Sequence, residues 1–460
     1  MVLKDLRSVV SLLLGLTVLQ AAAVDLGRIR AEEVAVYVQD LNSGEVLEAH
    51  REDVSLNPAS AMKLVTAFAA LRSLGSDYRW QTELKTAARQ RNGVLDGDIY
   101  WVGSGDPVLD QDGLTAMQQQ LRDGGISRIN GQLVLDGSVW NGRDSADGFS
   151  DDSGEPFMTA PDPHMLAYKV VWAVPERNES GGVAIRTNPP LPNIAFDNRV
   201  SLSGSASACG SLSRYMNAVY GKGVLSFSGS LPESCLGKEM FINMLEPKEF
   251  AQHSFINQWR AAGGSISDGL RLGRAESGAK VVARHRSKRL AEVLSDMNKF
   301  SNNLIARTVF LKMGERSADG LTAQHSEAAV RRELASAGLD DEALVLENGS
   351  GLSRRERITA KMLGQMLGKA YRSPFQTAFV DSLPIAGTDG TLKTRFKHIG
   401  PPLRLKTGTL KNVRALAGYY LDDKRPLAVV VLLNSPRAGG LLEELDALVT
   451  RIVQTYRSKP

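Results

Sequence analysis

Long apolar runs are missing from this chain: no stretch among its 460 residues reaches the roughly 18 to 20 residues that a membrane-spanning helix needs. Charge of one sign is scarce as well. The formal net charge is +4 and no run of five or six like charges occurs, which excludes a nucleic-acid-binding surface built on a basic patch. There are two cysteines and six histidines, and no spacing joins them into a tetrahedral ligand set, so no zinc site is expected. What is there, 43% hydrophobic and 23% charged residues, is ordinary globular composition, and the length suffices for two or three packed cores.

The N-terminus carries an address. Lys4 and Arg7 precede an apolar stretch from about Val9 to Leu19, and Ala21-Ala22-Ala23 supplies small residues for cleavage. Residues 1–23 therefore read as a secretory signal peptide, and the alternative of a membrane anchor would need a longer run. The mature chain is expected to have no transmembrane helix. In an oxidising compartment Cys209 and Cys235, which flank a Ser/Gly-rich stretch, can form a disulfide; two free buried thiols are the alternative.

Alternation over Val34–Val38 and again at Val46-Leu47, around Asn42-Ser43-Gly44, predicts a β-hairpin. Asn57-Pro58-Ala59-Ser60 reads as a helix start, with Leu64, Ala67, Phe68, Leu71 and Leu74 at helical spacing and Gly75 as the stop. From about Asp77 to Gly278 short strand-like runs alternate with turn residues. Two helices follow, broken at Ser301-Asn302-Asn303. Leu403–Leu410, Ala415–Leu421 and Leu427–Leu433 read as strands, and Leu441, Leu445, Leu448, Ile452 and Tyr456 mark one face of a closing helix. The fold class expected is α+β: a five-stranded antiparallel sheet with helices, its strands drawn from both ends of the chain, and β-rich material inserted between. The closing helix is amphipathic; packing against the sheet is favoured over membrane contact.

Three short motifs carry chemistry. In Ser60-Ala61-Met62-Lys63 a three-residue step on a helix puts an amine beside a hydroxyl, the pairing of base and nucleophile that acylation requires. Taken alone it is weak, since Ser277-Gly278-Ala279-Lys280 matches too, and Ser60 could be a plain helix cap. Ser301-Asn302-Asn303 offers a hydroxyl and an amide two positions apart; Ser55-Leu56-Asn57 fits the same pattern, and capping is again the plain alternative. Lys406-Thr407-Gly408 lies on a strand, with Lys406 and Thr407 suited to a substrate carboxylate and Gly408 to close approach of a substrate backbone. All three occur in the order, and on the elements, found in active-site-serine enzymes that react with penicillin.

On these motifs, together with Gly103-Ser104-Gly105-Asp106-Pro107, Asn348-Gly349-Ser350-Gly351-Leu352-Ser353 and Gly387-Thr388-Asp389-Gly390-Thr391-Leu392, the chain resembles the low-molecular-mass, class C penicillin-binding proteins of type 4, D-alanyl-D-alanine carboxypeptidases and endopeptidases. The gap of about 240 residues between the first two motifs matches the family's insertion. The resemblance implies a transpeptidase-like catalytic domain at 24–84 and 284–460, a first inserted domain at 85–165 and 246–283, and a second at 166–245 nested in the first. Two positions depart from the pattern: Asn348 and Arg307 stand where acidic residues are expected. In some relatives a carboxylate of the insertion meets the peptide stem, and Asp152, Glu155 and Asp162 are candidates here.

By that resemblance Ser60 attacks the carbonyl of the penultimate D-alanine of peptidoglycan stem peptides in the periplasm. Lys63 is the base, its pKa lowered by repulsion from Lys406. Ser301 passes a proton to the leaving amine and Asn303 orients Lys63. The backbone N–H groups of Ser60 and Thr409 form the oxyanion hole, and Lys406 with Thr407 holds the substrate carboxylate. No metal or organic cofactor is needed. β-Lactams should acylate Ser60 as covalent inhibitors. The rival readings are a non-catalytic cell-wall-binding protein with this fold and a β-lactamase.

Overall fold

The computed structural model describes residues 24–142, 158–191, 194–242, 244–315, 320–340 and 342–457. The expected signal peptide at 1–23, and Asp152 and Glu155, lie outside them. The catalytic half is built, in chain order, from strands β1 (Val34–Asp40) and β2 (Val46–His50), helices α1 (Lys63–Leu74), α2 (Leu290–Lys299), α3 (Asn303–Met313) and α4 (Ala360–Tyr371), strands β3 (Leu403–Leu410), β4 (Val413–Tyr420) and β5 (Leu427–Asn434), and helix α5 (Leu442–Tyr456). The strands form one antiparallel sheet in the order β3-β4-β5-β1-β2. Residues from both ends of the chain thus meet at its middle, as the sequence leads one to expect.

Helices cover both faces of this sheet, so its inner strands read as nearly continuous apolar runs. In β5, Leu427, Val429, Val431 and Leu433 face α5, while Ala428, Val430 and Leu432 face the layer that holds α1 and α4. Helix α5 buries Leu445, Leu448, Val449, Ile452, Val453 and Tyr456 against the sheet. At about 1.5–3 kcal/mol per large apolar side chain that is on the order of 10 kcal/mol, which decides for packing over membrane contact as the use of this amphipathic face. No helix among the described residues is long and apolar enough to cross a membrane.

Between α1 and α2 the chain builds a second body. Its main sheet runs in the order Arg271–Leu272, Leu133–Asp136, Ile99–Val102, Gln81–Thr86, Lys280–Arg286, and the helices Gln111–Asp123 and Pro247–Ala261 pack with it. Gln81–Thr86 pairs with Lys280–Arg286, so the segments that leave and rejoin the catalytic half run side by side. Residues 166–245 carry two three-stranded sheets whose apolar residues, Phe227 and Leu225 among them, continue the same hydrophobic cluster. Cys209 and Cys235 are joined as a disulfide there.

Candidate active site

Ser60 does not sit in an α-helix. It occupies a 3-10 turn, Ala59–Met62, that runs directly into α1. A 3-10 turn has three residues per turn and stacks residue i on i+3, so Lys63 is held above Ser60 more squarely than an α-helix would hold it. The turn is set by Asn57, whose Oδ1 accepts from the Ala59 N–H at 2.8 Å, and by Ala59 itself at φ 45°. Ser60 is no helix cap. The α1 cap position is Met62, which makes no side-chain capping bond.

The Lys63 amine is wholly buried and held on three sides. It donates to Ser60 Oγ at 3.1 Å, to Asn303 Oδ1 at 2.7 Å and to the backbone oxygen of Ser350. Burial pulls its pKa from 10.5 down to about 7, with the charge of Glu356 working against that fall. The cause is therefore desolvation, and the repulsion from Lys406 expected from the sequence is not its main source. Repulsion appears on the other partner: burial first, then Lys63, holds Lys406 well below the ordinary lysine value. Lys406 donates to Ser301 Oγ at 2.9 Å and to the Thr407 carbonyl at 2.8 Å. Two lysine–serine pairs thus meet at one place, from α1, the α2–α3 corner and β3.

The corner itself is strained on purpose. Ser301 lies at φ 55°, and its neighbour Asn302, not Ser301, caps α3 by accepting from the Ile305 N–H at 2.9 Å. Capping duty falls to Asn302, which leaves Ser301 to bond Lys406 and Asn303 to bond Lys63.

Strand β3 is the outer strand of the sheet on this side. Its Leu405 N–H bonds outward to the Pro384 carbonyl at 3.1 Å, and its Leu403 carbonyl accepts outward from Ala386 at 3.0 Å. Period-two alternation then aims the N–H groups of Thr407 and Thr409 along the same open edge. Thr407 Oγ1 donates to Thr391 Oγ1 at 2.9 Å, a partner from the 387–392 segment. Gly408 has a packing role beyond the one expected. A Cβ there would lie 2.5 Å from the Pro58 carbonyl and 3.1 Å from Ala59 Cβ, so the missing side chain also lets the strand press on the turn that carries Ser60.

The look-alike motifs do not assemble. Ser277 lies in an exposed turn and Lys280 starts an exposed strand; Ser55 Oγ bonds the Ala343 carbonyl, and Asn57 is spent on the Ala59 turn. Asp162 accepts from the His164 N–H at 2.8 Å and sits 3.8 Å from Lys248, on the wall of a cavity of about 730 Å³ between the inserted body and α3. Arg307, which replaces an expected acidic residue, is buried and donates to the carbonyls of Met158 and Thr159.

One functional neighbour left no mark in the sequence. Glu356 is fully buried, and its Oε1 accepts from the backbone N–H groups of Glu347, Asn348 and Gly349 at 3.2, 3.1 and 3.0 Å. Asn348 itself, which stands where an acidic residue is expected, accepts through Oδ1 from the Ser350 N–H at 3.1 Å and from Ser350 Oγ at 2.6 Å. The turn that Glu356 holds presses on the Ser60 turn: at Gly351, φ 74°, a Cβ would lie 1.8 Å from the Ala59 carbonyl. Gly351→Ala is expected to lower unfolding free energy by about 3 kcal/mol. Gly338→Ala, at φ 68° with open space around it, isolates the backbone strain and should cost about 1 kcal/mol. Urea titrations check both; equal losses would mean that the Gly351 turn does not bear on Ala59.

This arrangement can deprotonate a hydroxyl, stabilise an oxyanion with edge-strand amides and return a proton through a second serine. Comparison with known proteins agrees with it. The chain is 29% identical over 443 residues to the D-alanyl-D-alanine carboxypeptidase of Actinomadura sp. (strain R39), covering 91% of this chain and 81% of that protein. It is 27% identical over 421 residues to the D-alanyl-D-alanine carboxypeptidase DacB of Haemophilus influenzae, covering 89% and 86%. The crystal structure of penicillin binding protein 4 (dacB) from Haemophilus influenzae matches with a TM-score of 0.73 at 26% identity, over 91% of this chain and 96% of that one. Residues 16–451 match a single family, and with the serine, lysine and edge-strand geometry in place the chain belongs to it: the D-Ala-D-Ala carboxypeptidase 3 (S13) family.

Proposed function

We propose that this protein is an exported serine-type peptidase of the periplasm that cleaves D-alanyl bonds of peptidoglycan stem peptides, as a carboxypeptidase or on cross-links as an endopeptidase, through an acyl-enzyme on Ser60. The observation that carries the reading is the bond from Lys63 Nζ to Ser60 Oγ beside a second lysine–serine pair, Lys406–Ser301. Neutral Lys63 takes the Ser60 proton as Oγ attacks the carbonyl of the penultimate D-alanine. The oxyanion is met by the N–H groups of Ser60 and Thr409. Ser301, resupplied by Lys406, protonates the departing amine, and Asn303 keeps Lys63 in line. Lys406 and Thr407 hold the terminal carboxylate of a carboxypeptidase substrate, Gly408 keeps the strand against the Ser60 turn, and water releases the ester.

The Cys209–Cys235 bond and the signal-like N-terminus support export. We also propose that the nested insertion at 85–165, 246–283 and 166–245 is a separate domain pair, with its outer boundaries shifted to include the paired strands Gln81–Thr86 and Lys280–Arg286.

The test is intact-mass measurement after incubation with benzylpenicillin, followed by peptide mapping. A persistent adduct on Ser60 is expected, and its rate of formation should rise as pH climbs through about 7, because deprotonated Lys63 is the reactive form. No adduct with the drug intact would favour a non-catalytic binding protein; no adduct with the drug consumed would favour a β-lactamase.

A further inference from the structure

Glu356 is a buried charged group at this site to which the mechanism above gives no task. It approaches from the loop after Leu346, while the lysines come from α1 and β3. Three consecutive backbone N–H groups converge on its Oε1, the kind of amide nest that binds anions. Its Oε2 is buried with no hydrogen-bond partner among the described residues, so a proton placed there would become a buried donor without an acceptor. Burial holds its carboxyl above the ordinary carboxylate range, and the amides of Asn348, Glu347, Gly349 and Gly351 work against that rise. The loop it anchors delivers the Ser350 carbonyl to Lys63, the Gly349 carbonyl to Thr66 Oγ1 at 2.6 Å, and Gly351 to Ala59.

We propose that Glu356 is a positioning residue of this site: it fixes the turn whose Ser350 carbonyl holds the Lys63 amine, and it supplies the negative charge against which the two buried lysines share one proton. The inference rests on the function proposed above and deepens it. One carboxylate and two ammonium groups would leave a buried excess positive charge; one carboxylate and one ammonium is neutral, and frees the other amine to act as base. The remaining charged groups nearby are otherwise engaged. On the same loop Glu347 pairs with Arg355, and Arg357 donates to the Arg354 and Glu356 carbonyls at 2.6 and 2.9 Å; on α3 Arg307 turns to the carbonyls of Met158 and Thr159. Arg354 is partly exposed.

The experiment is the pH profile of Ser60 acylation by benzylpenicillin in the full mature chain, for wild type, Glu356→Gln and Glu356→Asp. Without the carboxylate the Lys63 ammonium is less stabilised and gives up its proton at lower pH, so the acid limb of the Gln variant should move down by about one pH unit, and the Asp variant should restore it. A Gln variant that is slower at every pH with its limb unmoved would overturn the charge role and leave only a structural one. Should the Gln variant fail to fold, the wild-type protein carries the test. With glutamate carboxyl carbons labelled, the Glu356 signal, identified by its contact with the Gly349 amide proton, should be that of a carboxylate at pH 8; a neutral-acid signal overturns the proposal. Wild type that gives no Ser60 adduct would instead remove the function proposed above.

Discussion

Replacing Ser60 with alanine is expected to abolish both D-alanyl peptide cleavage and covalent labelling by penicillin while leaving the protein folded. Peptide turnover should fall by about 10⁴-fold or more, because no other group stands where Lys63 can activate it. Folding should hardly change. The hydroxyl gives Lys63 one 3.1 Å acceptor, and Asn303 Oδ1 and the Ser350 carbonyl remain. The surrounding turn already carries Ala59 and Ala61, so alanine fits its backbone. Mass spectrometry after penicillin treatment and an assay with a D-Ala-D-Ala peptide are the two measurements. An adduct that persists in the variant places the nucleophile elsewhere.

The second large effect is expected from Lys63→Met, which keeps the length of the side chain and removes the base. Acylation of Ser60 should slow by about 10³-fold, within the range attributed to a positioned general base. Stability should respond in a way that identifies the amine. Burial depresses the folded-state pKa of Lys63 to about 7 while the unfolded chain keeps 10.5. A depressed lysine therefore costs nothing above pH 10.5, costs more as pH falls through the window between 10.5 and 7, and costs its full several kcal/mol below about 7. Wild-type stability should rise across that window as pH increases, and Lys63→Met should lose the share of the rise that Lys63 supplies, leaving the share from Lys406, which burial also holds well below the ordinary lysine value. Denaturant midpoints from pH 7 to 10 would show it. A variant that acylates near the wild-type rate excludes Lys63 as the base, and a rise as steep as that of the wild type would mean that the Lys63 amine is not depressed in the fold.

How much of this was legible in the sequence depends on whether the signal was local. The β1–β2 hairpin, the three C-terminal strands and the packing face of α5 follow from periodicity; the second and third motifs fell on the corner and strand expected of them, and the first on a 3-10 turn that leads into the expected helix. Local signals also ranked the look-alikes poorly: nothing near Ser277 or Ser55 says that neither meets a buried lysine, since that meeting is supplied only by the fold. Glu356 was invisible for the same reason. A glutamate in a charged stretch, Arg354-Arg355-Glu356-Arg357, reads as solvated surface, and only the amides of Glu347, Asn348 and Gly349 turning back upon it make it interior. The packing role of Gly408 was out of sight because a glycine on an edge strand suggests only a passing ligand, whereas Pro58 and Ala59, some 350 residues earlier in the chain, also press on it. The depression of Lys63 was anticipated, but its cause was not, because burial is a property of the packed turn and not of the motif.

The sheet that ties the two ends of the chain together has a consequence for biogenesis. β1 finds its partner β5 only when the last eighth of the polypeptide has been delivered, and β3, which closes the site around Ser60, arrives in the same final stretch. The inserted body between residues 81 and 286 has its own hydrophobic cluster and is complete far sooner. Contacts of such long sequence separation form late. On the function proposed above, a chain still being made is therefore inert: it carries its nucleophile from the start but gains the power to cut the wall only after synthesis is finished.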